Sequence, residues 1–119
     1  WINAFELSKE LNKLNLNGVY FRPASFTPTT SKFSGKQCFG VQVHVLDRDK
    51  FSSVKTGWAM LQTVREMYPE EFDYTSTFNL LAGCSYFKEQ KYDLNQLFKI
   101  IDEDTAKWAE TRNKYLIYK

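Results

Sequence analysis

Residues 31–47 read SKFSGKQCFGVQVHVLD, and this stretch constrains the chain more than any other. In its second half Val41, Val43 and Val45 alternate with Gln42, His44 and Leu46. Successive side chains of a strand point to opposite faces, so the valines share one face and the amide and imidazole share the other. The valine face calls for a core, which helices before and after the strand can supply. The first half is a polar loop punctuated by Gly35 and carrying Lys32, Lys36 and Gln37. Loop and polar strand face hold the densest group of hydrogen-bonding side chains in the chain, and a site is expected there.

Upstream, Asn3 followed by Glu6 is a capping-box variant. Ala4, Leu7, Leu11 and Leu14 recur at helical spacing, predicting an amphipathic helix over residues 4–15 that closes at Asn17-Gly18. Residues 19–22 predict a strand. Pro23 cannot donate to a ladder, so that strand lies at an edge or its pairing breaks there. Beyond the turn at Asp47-Arg48-Asp49, Ser52 is a suitable N-cap for a helix with the stripe Val54, Gly57, Trp58, Leu61, Val64 and Met67, stopped by Pro69.

Residues 78–82 predict a short helix with Gly83 as terminator. Asp93 and Gln96 open a long helix with the stripe Leu94, Leu97, Phe98, Ile101, Trp108, Arg112 and Tyr115. The β-prone Tyr115-Leu-Ile-Tyr118 is expected to add a short strand or to pack down. This order predicts an α+β fold, a small and mainly antiparallel sheet with helices on one face, as one domain over residues 1–119.

Apolar residues at 43% and charged ones at 25% suit a packed globular chain rather than a disordered one. A net charge of +2 with no lysine-arginine run argues against a nucleic-acid partner. No apolar run approaches the ~20 residues of a membrane span. One histidine and two cysteines without C-x-x-C or H-x-x-x-H spacing predict no metal, and no cofactor is expected. Nothing in the spacing of Cys38 and Cys84 requires a disulfide. The opening Trp1-Ile2, without an initiator methionine, is what a fragment or a processed product presents.

Catalysis of hydrolysis needs a positioned acid, base or nucleophile. His44 and Asp47 fall on opposite faces of a continuous strand, and no G-x-S-x-G is present. Cys38 precedes His44 by six residues, but a Cys-His pair depends on proximity that spacing alone does not give. His44 reads better as a structural histidine on a sheet face than as a proton-transfer group. Asp47 and Asp49 read as turn formers, and Glu70-Glu71 and Asp102-Glu103-Asp104 as solvated faces. The chain is therefore better equipped for binding than for catalysis. Arg22, Lys32, Lys36, Gln37, Gln42 and His44 suit an anionic or hydroxyl-rich ligand, with Phe33 or Phe39 as a stacking surface. The same residues equally suit a polar loop over a conventional core.

An ordered series of short motifs resembles a known family. It runs through Trp1-Ile2, Gly18-Val-Tyr-Phe-Arg-Pro23, Phe26-Thr-Pro28, Ser31-Lys-Phe-Ser-Gly35 and Cys38-Phe-Gly-Val-Gln-Val-His44. It continues through Asp47-Arg48, Phe78-Asn-Leu-Leu-Ala-Gly83, Arg112 and Tyr115-Leu-Ile-Tyr118. Covering nearly the whole chain in order, it resembles the C-terminal part of the NamZ family of exo-acting β-N-acetylmuramidases. Ser53, where relatives often carry proline, and Cys84 depart from the pattern.

The resemblance implies a secreted or periplasmic hydrolase of cell-wall recycling that removes terminal N-acetylmuramic acid from the non-reducing end of peptidoglycan fragments. It implies a larger N-terminal Rossmann-like domain in the same polypeptide, which supplies the catalytic glutamate. This chain then forms one wall of the active-site cleft, is inactive alone, and carries no catalytic residue. Lys32, Lys36 or Arg22 would pair with the lactyl carboxylate, and Gln42 and His44 would address hydroxyls or the acetamido group. The alternative is a non-catalytic module that binds a glycan or another protein.

Overall fold

The computed structural model describes residues 1–86, 88, 89 and 91–118. The elements are, in order, α1 (Ala4–Lys13), β1 (Val19–Phe26), β2 (Cys38–Val45), α2 (Ser53–Met67), α3 (Phe78–Ala82) and α4 (Leu94–Asn113). β1 and β2 form a two-stranded antiparallel sheet, so the α+β expectation holds. The chain divides into two compact units, Trp1–Asp73 and Tyr74–Lys119.

In the first unit α1 is the hub, touching both strands and α2. Its N-cap is Asn3, whose side-chain oxygen accepts from the amides of Phe5 and Glu6. Ala4, Leu7, Ser8 and Leu11 form its buried stripe. Leu7 and Leu11 meet Phe21 of β1 in the core, with Val19, Val41, Met60, Val64 and Met67 packed around them. Leu14 stays exposed, because the helix ends at Lys13 and Leu14 is already its cap. Asn15 takes the left-handed turn at φ 49°. Gly18, expected to close the helix, instead sits in the tight passage into β1, with φ 71°.

The register pairs Val19 with Val45, Phe21 with Val43, Arg22 with Gln42 and Phe26 with Cys38. Pairing continues through Pro23, opposite Val41, so β1 is an edge strand and does not break. The reason lies at Phe21, whose N–H and C=O both bond to α1 rather than to β2. Odd-numbered residues of β1 therefore point their backbone groups away from the ladder, and the N–H that Pro23 lacks costs it nothing. Val41 packs on the core, while Val43 and Val45 remain part-exposed, since one ten-residue helix covers only part of the ribbon.

Ser52 caps α2 as expected, accepting from the Lys55 amide at 3.4 Å. The buried residues of this helix are Thr56, Ala59 and Thr63, however, and Val54 of the expected stripe is 53% exposed. Small side chains facing inward let α2 approach α1 closely, and the larger Met60, Val64 and Met67 fill the flank.

In the second unit α3 ends at Gly83 with φ 70°, and the Asp93–Gln96 capping box opens α4 with both of its hydrogen bonds formed, at 2.8 and 2.9 Å. Leu97 is buried. The expected stripe does not persist: Trp108 is 61% exposed, and Arg112 and Tyr115 are exposed too. Between Ile101 and Trp108 the sequence is mostly charged, leaving one large apolar residue per two turns, too few to hold a face down. Residues 115–118 form no strand and are exposed. Among the described residues the sheet consists of β1 and β2 alone, and this segment makes no ladder with either.

Candidate functional site

The loop between the strands, residues 27–37, is stapled by its own backbone. The Gly35 amide donates to Pro28 O at 2.8 Å, the Ser34 amide to Ser31 O at 3.1 Å, and the Lys36 amide to Phe33 O at 3.0 Å. The Ser34 hydroxyl adds a bond to Thr29 O at 2.9 Å. Gly35, with φ 75°, occupies the third position of the 33–36 turn, where a type II turn requires a positive φ. The turn thus presents Phe33 and Lys36 from its two ends.

Both residues line a pocket of about 330 Å³ at this end of the hairpin. Its wall is built from the rings of Trp1, Phe26, Phe33 and Phe39, with Lys36, Gln37 and Cys38 as polar lining. Trp1 is held edge-on by Tyr68, ring centroids 5.3 Å apart, and the Tyr68 hydroxyl accepts from the Asn3 amide at 2.8 Å. The size suits one small ligand. Among the described residues no carboxylate lines the pocket, and the Lys36 ammonium has no ion-pair partner. Lys32 is not in the lining, but its ammonium lies 5.5 Å from the centroid of the Phe33 ring, within cation–π range.

Arg22, Gln42 and His44 form a second group. They lie on the face of the hairpin opposite Phe21, Arg22 directly across from Gln42 and His44 across from Tyr20. The face continues through Ala24 and Gly40 to Phe26 and Cys38 at the pocket. A Cβ added at Gly40 would meet nothing within 4 Å, so this part of the face is open. From Arg22 to Phe26 is four residues, roughly 13 Å of strand. The result is a track with an Arg–Gln pair at one end and an aromatic, lysine-bearing pocket at the other.

His44 does not form a dyad with Asp47. Its Nε2 is buried without a hydrogen-bond partner among the described residues. The carboxylate of Asp47 is committed to its own turn: Oδ1 accepts from the amides of Asp49 and Lys50 at 3.0 and 3.3 Å, and Oδ2 pairs with Lys50 Nζ at 3.0 Å. The Lys50 ammonium first, and then these amides, hold the Asp47 carboxyl below the ordinary aspartate range. Glu89 is likewise lowered, by hydrogen bonds from Lys91 and Ser85. Both displacements run opposite to what a general acid needs at neutral pH. Cys38 and Cys84 are free thiols.

A larger groove of about 580 Å³ shares Trp1 and Ile2 and runs along Met60, Leu61 and Val64 of α2. Its charged lining residues are Glu71 and Asp73, which disfavour an anion. Of the residues expected from sequence, then, Lys36 and Gln37 come together in the first pocket, Arg22, Gln42 and His44 on the adjoining face, and Lys32 stands beside the pocket through Phe33. Sequence reasoning missed Trp1 and Phe26 as pocket walls. The anchor of Trp1 is Tyr68, far along the chain, and no local pattern announces such a contact.

Comparison with known proteins gives consistent matches. Residues 1–118 match the family model described as "Exo-beta-N-acetylmuramidase NamZ, C-terminal". The chain is 43% identical over 123 aligned residues, 99% of its length, to the peptidoglycan beta-N-acetylmuramidase NamZ of Bacillus subtilis (strain 168), of which it spans 30%. It also resembles the crystal structure of a DUF1343 family protein from Bacteroides fragilis, with a TM-score of 0.81 and 30% identity. That match covers all of this chain and 34% of the other.

Proposed function

Because the chain belongs to the family of NamZ C-terminal domains, we propose that it is the substrate-contacting, cleft-forming part of a peptidoglycan exo-β-N-acetylmuramidase. In this reading an N-terminal domain of the same polypeptide, Rossmann-like, supplies the catalytic carboxyl chemistry. The hairpin track supplies binding and orientation, which lower the barrier by holding the scissile bond in place. The observation that carries the proposal is the continuity of the open polar face with the aromatic pocket at its end. Aromatic rings offer apolar faces to the C–H side of a sugar, and Arg22, Gln37 and Gln42 offer donors to hydroxyl and acetamido oxygens.

The same reading has the enzyme acting on cell-wall fragments in the periplasm or outside the cell, in recycling of the wall. Fractionation of cells followed by activity measurement tests that location.

The test of function uses the full-length polypeptide and a chromogenic aryl β-N-acetylmuramide. Gln42→Ala and Phe33→Ala, each with a thermal melt matching wild type, are expected to lower kcat/KM by about 10-fold or more. Normal kcat and KM in both variants would make the hairpin a scaffold. If wild type releases no chromophore, the domain is instead a non-catalytic glycan- or protein-binding module.

A further inference from the structure

Three cations stand near the track, and their surroundings differ. Arg22 and Lys36 are both exposed, but Arg22 lies on the strand face outside the pocket lining. The Lys32 ammonium is engaged by the ring of Phe33. Lys36 alone among them lines the aromatic pocket, where no carboxylate among the described residues neutralises it. Its backbone is fixed by the hydrogen bond to Phe33 O at 3.0 Å and by the Gly35 turn. An ammonium without a carboxylate partner at the wall of a pocket is available to pair with an anionic group of a ligand bound there.

We infer that Lys36 is the specificity-determining residue of this pocket, selecting a sugar that bears a free carboxylate over its uncharged counterpart. The inference rests on the proposed function in one respect: the lactyl carboxylate of N-acetylmuramic acid is the group selected. Gln37 beside it offers an amide that pairs with the acetamido group. The four rings take the apolar face of the pyranose. A cation held in such a place discriminates by charge, whereas the rings contribute equally to acid and neutral ligands.

The test compares aryl β-N-acetylmuramide with the same compound whose lactyl carboxyl is converted to a carboxamide, using the full-length polypeptide. Lys36→Met keeps the apolar stem and removes the charge, and Lys36→Arg keeps the charge. Lys13→Met, on the far part of α1 and paired with Glu10, removes the same net charge away from the pocket. For Lys36→Met, kcat/KM on the acid is expected to fall about 10- to 100-fold, mostly through KM, the size of a charge-assisted hydrogen bond.

The carboxamide should be processed equally by wild type and Lys36→Met. Lys36→Arg should restore most of the preference, and Lys13→Met should leave it intact. Equal losses on acid and carboxamide, or none on either, overturn the inference while leaving the muramidase reading standing. If wild type hydrolyses neither compound, that reading fails. Calorimetric binding of free N-acetylmuramic acid and its carboxamide then decides the inference: an acid preference lost in Lys36→Met supports it, and equal binding overturns it.

Discussion

Asn12 offers the sharpest test of how this fold is held. Its side-chain amide reproduces the edge of a neighbouring strand, accepting from the Phe21 N–H at 3.0 Å and donating to Phe21 O at 2.8 Å. The buried Ser8 hydroxyl donates to the same carbonyl at 2.8 Å. Removing the amide therefore leaves the carbonyl with one donor and the N–H with none. Two hydrogen bonds are worth about 1 kcal/mol each net, and an orphaned, part-buried N–H costs about 1–3 kcal/mol. These terms overlap, so Asn12→Ala should destabilise by about 2–3 kcal/mol.

For a chain of this size, that is a fall in Tm of roughly 8–15 °C. Urea titration gives the free energy, and amide hydrogen exchange gives the location. The Phe21 amide should lose its protection, while ladder amides such as that of Arg22 keep theirs. Asn12→Asp should separate the two bonds, because a carboxylate accepts from Phe21 N–H yet repels Phe21 O. Protonation restores a donor, so the folded form of that variant binds its proton more tightly than the unfolded form. It should then recover stability as the pH falls toward 4. A loss under about 0.5 kcal/mol for Asn12→Ala, with Phe21 still protected, would refute the reasoning.

Three further substitutions separate conformational strain from steric conflict and test the state of Asp47. Gly18 and Gly35 share a positive φ, but a Cβ at Gly35 meets nothing, whereas at Gly18 it would run into Asp47 O and lie 2.9 Å from Phe51 N. Gly35→Ala should cost about 1–2 kcal/mol from conformation alone, and Gly18→Ala at least about 3 kcal/mol; equal values in urea titration would remove the steric argument. Asp47 should titrate below its ordinary value of 3.8, so the support its turn lends to the fold is present above that pH and is lost as the pH falls through the lowered pKa. Carboxyl-carbon NMR tests this. Lys50→Ala should bring the value back up, and titration at or above 3.8 in the parent would contradict the turn described for Asp47.

What the sequence by itself determined is what depends on neighbours a few residues away. Asn3, Ser52 and the Asp93–Gln96 box cap their helices through amides two or three residues on. Gly83 turns left-handed at the end of α3, and Asp47 closes its own turn. The two-residue period put Gln42 and His44 on the face opposite Val41, Val43 and Val45 without any knowledge of partners.

Tertiary structure decided whatever depends on which surfaces meet. Gly18 was legible as a glycine in a turn, but its tight fit against Asp47 was not. In α2 the fully buried residues are the small Thr56, Ala59 and Thr63, whereas Val64 and Met67 of the expected apolar stripe pack on the core from the flank and Val54 stays exposed. The Asn12 clamp on Phe21, nine residues away, and the Tyr68 anchor of Trp1 exist only once α1 has been laid against both β1 and α2. The same holds for Lys36. As side chains, Arg22, Lys32 and Lys36 carry the same charge, and only the fold puts Lys36, of the three, in the lining of the aromatic pocket.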